Sequence, residues 1–190
     1  MEYTRGERFR ITHAGSFFGR RDPRPFLQAL ADSGLDDVSV RFVGDFRPAD
    51  REFMESLRLA GRIELIPYVP RRRSLELQRD SDVLLLLIPE ADGRGRGVLS
   101  GKVFEYLAAE RPILAVVPPD GAAAQLVRDA GAGVVAAPDD VAAIRDALVG
   151  LHARWSEGAL EGTPLSDEWR ERLSRTSRVE ELADLLRSLT

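Results

Sequence analysis

The chain has 190 residues, 44% hydrophobic and 31% charged, with a formal net charge of −4 at pH 7. That size and balance suit one generous domain or two very small ones, and the slight acidity argues against a nucleic-acid footprint. Cysteine is absent, which excludes disulfides, a thiol nucleophile and cysteine-ligated metal, and the two histidines, His13 and His152, lie too far apart in sequence to suggest a histidine-rich metal centre.

Apolar runs alternate with amphipathic stretches along the whole chain. Residues 9–14 read as a first strand ending at Gly15. Asp22-Pro23 then opens a helix with Phe26, Leu27 and Leu30 on one face, stopped by Gly34. A second strand over 38–43 is closed by Gly44-Asp45. Pro48 starts a second helix with Phe53, Met54, Leu57 and Leu59 as buried candidates, ended by Gly61. The pattern predicts a third strand over 63–69, a short helix over 74–79, and a fourth strand over 83–88. That fourth run is the most apolar, as expected for a central strand buried on both faces.

A glycine–arginine loop over 89–99 follows, with Gly93, Gly95 and Gly97 alternating with Arg94 and Arg96; its composition fits either a mobile flap or a plain surface loop. Residues 100–109 read as a helix, 112–117 as a fifth strand, 122–130 as a helix, 133–137 as a sixth strand and 141–155 as a helix. After a turn-like stretch, one last polar helix is expected over 167–189, with Trp169, Leu173, Leu182, Leu185 and Leu186 among its apolar positions. Strands separated by helices require right-handed crossovers. The expectation is an α/β fold: a doubly wound, mostly parallel sheet of about six strands with a C-terminal helical tail. The longest apolar run, 83–89, is too short to span a bilayer and no signal-peptide pattern opens the chain, so a cytoplasmic domain is expected.

Ligands of such sheets sit beyond the carboxyl ends of the strands, so the strand-end loops carry the search for a site. The first runs from Gly15-Ser16 to Arg20-Arg21-Asp22 and leads into a helix N-terminus, where free amides and the arginines could meet an anion. It is neither a G-x-G-x-x-G fingerprint nor a P-loop, and a plain turn is its bland alternative. Tyr68-Val69-Pro70 offers an aromatic and a stiff backbone to a nucleobase, or is simply a loop.

The most informative stretch begins Ser100-Gly101-Lys102 and continues to Glu105. Of 27 basic residues, Lys102 is the single lysine, and it falls in the first turn of a helix, where the dipole disfavours a cation. Glu105 lies three positions on, on the same face. The two form either an ordinary surface pair or a device in which ammonium and dipole hold phosphate while the carboxylate accepts sugar hydroxyls.

At these residues the chain resembles the C-terminal half of a GT-B glycosyltransferase of the large retaining group called family 4. The stretch Ser-Gly-Lys-Val-Phe-Glu-Tyr-Leu-Ala-Ala-Glu-Arg-Pro-Ile-Leu-Ala (100–115) is similar to that family's S-K-x-x-E-Y-x-A-x-G-x-P motif. Gly15-Ser16, Phe42-Val43-Gly44-Asp45, Gly131-Ala132-Gly133 and Pro138-Asp139-Asp140 support it in order and spacing, as does the closing segment from Ser177 to Leu186.

The resemblance implies a nucleotide-sugar donor, no metal, and a separate N-terminal acceptor-binding domain. It implies a Rossmann-like donor domain over 1–155, with residues 156–190 packing back on it or toward the other domain. Glu105 would match the second glutamate of the E-x7-E motif and bind the donor ribose. Lys102 and the amides of its helix would lie near the diphosphate, and Tyr68-Val69 would face the base. Gly97 stands where the first glutamate of the motif would be, Glu110 holds the usual glycine position, and Arg20 or Arg21 would replace the usual basic residue near Gly15. A sugar-nucleotide epimerase or hydrolase, and a non-catalytic scaffold or interaction module, are the rival expectations. The apolar side of the last helix suggests partner docking or a homo-oligomer.

Overall fold

The elements alternate as the hydrophobic pattern requires. The computed structural model describes residues 3–17, 19–90 and 95–188. In chain order they form β1 (Phe9–Ala14), α1 (Arg24–Asp32), β2 (Val38–Val43), α2 (Pro48–Ser56), β3 (Ile63–Ile66), α3 (Arg71–Arg79) and β4 (Val83–Leu87). There follow α4 (Gly101–Ala109), β5 (Ile113–Val116), α5 (Ala122–Asp129), β6 (Gly133–Ala136), α6 (Val141–Ser156), α7 (Asp167–Leu173) and α8 (Arg175–Ser188). The six strands lie in the order β3-β2-β1-β4-β5-β6. Every neighbouring pair is parallel, so the expected mostly parallel sheet is wholly parallel. Strand order reverses between β1 and β4, and a crevice opens there.

β4 is buried along its whole length, and its side chains alternate between two cores. Val83, Leu85 and Leu87 face the layer of α1 and α6, with Phe26, Leu30, Leu148 and Leu151. Leu84 and Leu86 face α4 and α5, with Val103, Tyr106, Leu107 and Val127. Two apolar layers sandwiching one sheet explain why this strand reads as an unbroken aliphatic run. At α2, Met54 and Leu59 are buried as expected, Phe53 and Leu57 only partly. That helix also buries Asp50, whose carboxylate is held by Arg24 Nε at 3.1 Å and by the Arg47 guanidinium.

The structure departs from the sequence-based expectation at four boundaries. α2 ends at Ser56, short of Gly61, where Arg58 turns left-handed (φ 58), so Leu57 and Leu59 lie beyond the helix. β3 ends at Ile66 rather than at 69, because Pro67 cannot donate to the ladder. The chain freed in this way carries Tyr68 and Val69 outward. α3 starts at Arg71, three residues early, since Pro70 holds the extended backbone of a helix entry (φ −55, ψ 148). The single terminal helix is two, broken at Ser174 (ψ 145), whose Oγ accepts from the Ser177 N–H at 3.0 Å and so starts α8 afresh. Trp169 and Leu173 of α7 pack on the α4–α5 core, whereas Val179, Leu182, Leu185 and Leu186 of α8 are exposed.

The segment leading to α7 is strapped across the end of α4. Glu110 closes that helix in the left-handed conformation (φ 56) where a glycine is usual, and Arg170 Nη2 pairs with its Oε1 at 2.6 Å. Gly162 passes so close that a Cβ there would stand 2.3 Å from the Glu110 carbonyl oxygen.

Backbone proximity also sets Gly133 at the start of β6. A Cβ there would meet the Ile113 carbonyl oxygen at 1.9 Å, and neither partner is a side chain that can swing away. Gly133→Ala should therefore destabilise the fold by about 1–3 kcal/mol in urea denaturation, more than Gly61→Ala, whose added methyl meets nothing.

Candidate functional site

The crevice forms where β1 and β4 part. They are paired only at Ile11–Val83 and Thr12–Leu84, and the strand ends beyond diverge. Two side chains take over the missing backbone partners. His13 Nδ1 donates to the Leu85 carbonyl at 2.8 Å, and the Ala14 N–H donates to Tyr106 Oη at 2.9 Å. The second bond ties the end of β1 to α4. Burial pushes the Tyr106 hydroxyl pKa upward, so the phenol stays neutral.

On the other side, the β1 and β2 loops are sewn together. Gly15 N donates to Val43 O at 2.7 Å, Asp45 N to Ser16 Oγ at 3.0 Å, and Phe17 N to Asp45 O at 2.9 Å. Gly44 (φ +124) allows this approach, since a Cβ there would lie 2.8 Å from Ser16 N.

Ser100 caps α4 through Oγ, which accepts from the Lys102 N–H at 3.3 Å. The Lys102 side chain lies across Gly15 (φ +136), so a Cβ at that glycine would sit 2.2 Å from Lys102 Cε. Among the described residues, no carboxylate lies within ion-pair distance of this ammonium. Burial, aided by the nearby Arg21 guanidinium, lowers its pKa to about 8 against the opposing pull of Glu105. Glu105 is engaged elsewhere: Oε1 meets Arg71 Nη2 at 3.4 Å and Oε2 meets Gln78 Nε2 at 3.5 Å. The i,i+3 pair that the spacing allowed is thus not formed, because α3 supplies cross-helix partners to the carboxylate.

A cleft of about 400 Å³ results, lined by Gly15, Ser16, Tyr68, Val69, Ser100, Gly101, Lys102 and Glu105, with Val43, Gly44 and Ser74. Tyr68 is 80% exposed and stands at its rim. Eight of the ten residues singled out in the sequence meet here. Arg21 reaches the edge, its Nη1 donating to Ser16 O at 3.5 Å. Arg20 does not join them: it lines a separate depression with Pro89, Glu90, Pro138 and Asp139.

His13, Ser74 and Gln78 carry no mark in the sequence, whereas Gly44 and Tyr106 entered only as parts of the 42–45 turn and the 100–115 stretch. In the glycine–arginine loop, residues 91–94 lie outside the described residues. The part beyond is anchored, Arg96 O accepting from Ala122 N at 2.7 Å and its guanidinium meeting Asp120 at 3.1 Å. Gly97 is exposed, and a Cβ on it would meet nothing within 4 Å.

A larger apolar groove of about 760 Å³ runs along the outer side of α4, walled by Leu75, Phe104, Ala108, Leu173 and Val179. It shares Gly101 and Glu105 with the cleft and is bordered also by Arg71 and Arg79. Among the described residues, no cluster of three or more histidine, aspartate or glutamate side chains could hold a metal ion, and no helix is long and apolar enough to cross a membrane.

The cleft therefore joins a desolvated cation, a helix N-terminus, close-approach glycines, a carboxylate and an exposed aromatic at a topological switch point. Over residues 8–154 the chain matches the family described as glycosyl transferases group 1, and it belongs to that family. No curated protein matches it in sequence.

Among solved structures it is similar to a glycosyltransferase from Rickettsia africae (14% identity, TM-score 0.74, 95% of this chain and 48% of that one). It is also similar to Anabaena HepE in complex with UDP-glucose (17%, 0.71, 95% and 49%). A UDP-N-acetylglucosamine 2-epimerase-like protein from Listeria monocytogenes shares the fold as well (17%, 0.59, 92% and 46%). The chain spans about half the length of these proteins.

Beneath the cleft, His13 is fully buried against Phe17 and Phe42, and burial holds its pKa down to about 3. An unfolded histidine takes up a proton near pH 6.5, which the folded one refuses, so stability is complete above that value and falls as pH drops toward 3. Between pH 6.5 and 5 the loss should be about 2 kcal/mol. Urea denaturation of His13→Gln should show a shallower fall over that window than the parent protein.

Proposed function

We propose that this domain binds the nucleotide-sugar donor of a retaining glycosyltransferase, working in the cytoplasm with an N-terminal acceptor-binding domain. The observation that carries the reading is Lys102: a half-buried ammonium across Gly15, at a helix start that repels it, with no carboxylate within 4 Å among the described residues. A diphosphate supplies the missing negative charge. The α4 N-terminus, the Gly15-Ser16 backbone and Arg21 add donors and charge around it. Glu105 accepts from the ribose hydroxyls, and the Val69 backbone and Tyr68 ring face the base.

During transfer the bond from the sugar's anomeric carbon to the diphosphate breaks as one forms to an acceptor hydroxyl oxygen, whose proton passes to the departing diphosphate. Negative charge then gathers on the leaving diphosphate, where Lys102 and the helix dipole stabilise it. No metal is needed in this scheme. Residues 1–155 form the donor domain, and residues 156–190 the strap and tail. Arg20, set apart from the cleft, is left out of the donor contacts. The open position at Gly97 leaves one sugar contact to another residue or to the partner domain.

Calorimetric titration with UDP, GDP, ADP and dTDP should give saturable binding of one, weakened about tenfold or more by Lys102→Ala. No binding to any of them would favour a scaffold over a donor site. Diphosphate contact raises the Lys102 pKa, so affinity should be complete below pH 8 and fall above it, by up to about tenfold per pH unit. Lys102→Arg should flatten that profile.

The isolated chain should show negligible glycosyl transfer; transfer at a whole-enzyme rate would overturn the need for a second domain. The Listeria neighbour motivates a second reading, a sugar-nucleotide epimerase or hydrolase. Steady consumption of donor by the chain without acceptor would favour it.

A further inference from the structure

Gln78 is a costly residue for its position. It lies on α3, is wholly buried, and its Oε1 has no hydrogen-bond partner among the described residues. Its amide nitrogen donates to Ser74 Oγ at 3.3 Å and Glu105 Oε2 at 3.5 Å. The opposite amide orientation would set oxygen against the carboxylate, so the donor must be the group facing Glu105. α3 readily takes apolar side chains, Leu77 being its buried neighbour. An aliphatic residue at this place would remove the orphaned acceptor at no cost in volume.

Packing therefore does not account for the amide, whereas the carboxylate does. Glu105 borders both the cleft and the apolar groove. Its other partner, Arg71, is 68% exposed and orients it weakly. We infer that Gln78 is a positioning residue, whose buried amide turns the Glu105 carboxylate toward the cleft so that it accepts the ribose hydroxyls of the donor. This rests on the reading of Glu105 as the ribose contact. Pinning one lone pair of Oε2 fixes the rotation of the carboxylate and leaves its remaining lone pairs to the ligand.

The test titrates UDP, GDP and ADP, each beside its 2′-deoxy and 3′-deoxy forms, and inorganic pyrophosphate, into Gln78→Met, Gln78→Leu and Glu105→Gln. Both Gln78 variants should melt at or above the parent temperature and leave pyrophosphate affinity unchanged. The ribonucleotide that binds best should be weakened about fivefold, and its advantage over the deoxy forms should shrink toward that of Glu105→Gln.

A loss of melting temperature in both variants with the ribose preference intact makes Gln78 purely structural and overturns the inference. If Glu105→Gln abolishes the preference while the Gln78 variants keep it, the ribose reading stands and the positioning role falls. If Glu105→Gln leaves the preference untouched, or no nucleotide binds, both are wrong.

Discussion

Parallel strands that stop exchanging hydrogen bonds leave polar groups to be satisfied, and β1 and β4 part after only two paired positions. The opening is required by the topology, since the chain winds away in opposite directions from these two strands. His13 and Tyr106 answer it with side chains, one bonding the Leu85 carbonyl and the other the Ala14 amide. Because Tyr106 sits on α4, satisfying the last amide of β1 also docks that helix against the crevice. Lys102, one turn earlier, is then delivered onto Gly15. The cleft is the volume left between a splayed pair of strands and the helix that repairs them.

The electrostatics of the cleft run against local preference. A cation in the first turn of a helix is disfavoured by the dipole, and desolvation adds to the cost. The carboxylate three residues on is drawn away by Arg71 and Gln78. Such an arrangement costs the fold stability. Sites built for charged ligands commonly carry strain of this kind.

At the far end of α4, Glu110 holds a left-handed turn where glycine would be relaxed, and Arg170 and the Gly162 backbone close over it. The strap joins α7 to the same helix that carries Lys102. α4 is thus held by long-range contacts at its middle and at its C-terminal end, Tyr106 to β1 and Glu110 to α7. A helix of nine residues would be marginal on its own and takes its order from this packing.

The sequence by itself determined the six strands and their parallel sense, because alternating apolar and amphipathic runs leave few other ways to bury the aliphatic face. It also marked Lys102, through its rarity and its poor place on a helix, and the glycines that end β1 and β2. What only the tertiary structure decided were the cross-element partnerships. Arg20 and Arg21 are adjacent in the chain yet face different depressions. Glu105 pairs across helices instead of along its own.

Nothing in the sequence says which groups His13, Tyr106 and Gln78 serve until the crevice shows their partners. The terminal helix broke at Ser174, where a hydroxyl cap outweighed a weak and continuous polar pattern. Periodicity is a property of a segment and is written in its residues, whereas hydrogen-bond partners and desolvation depend on what the fold brings alongside.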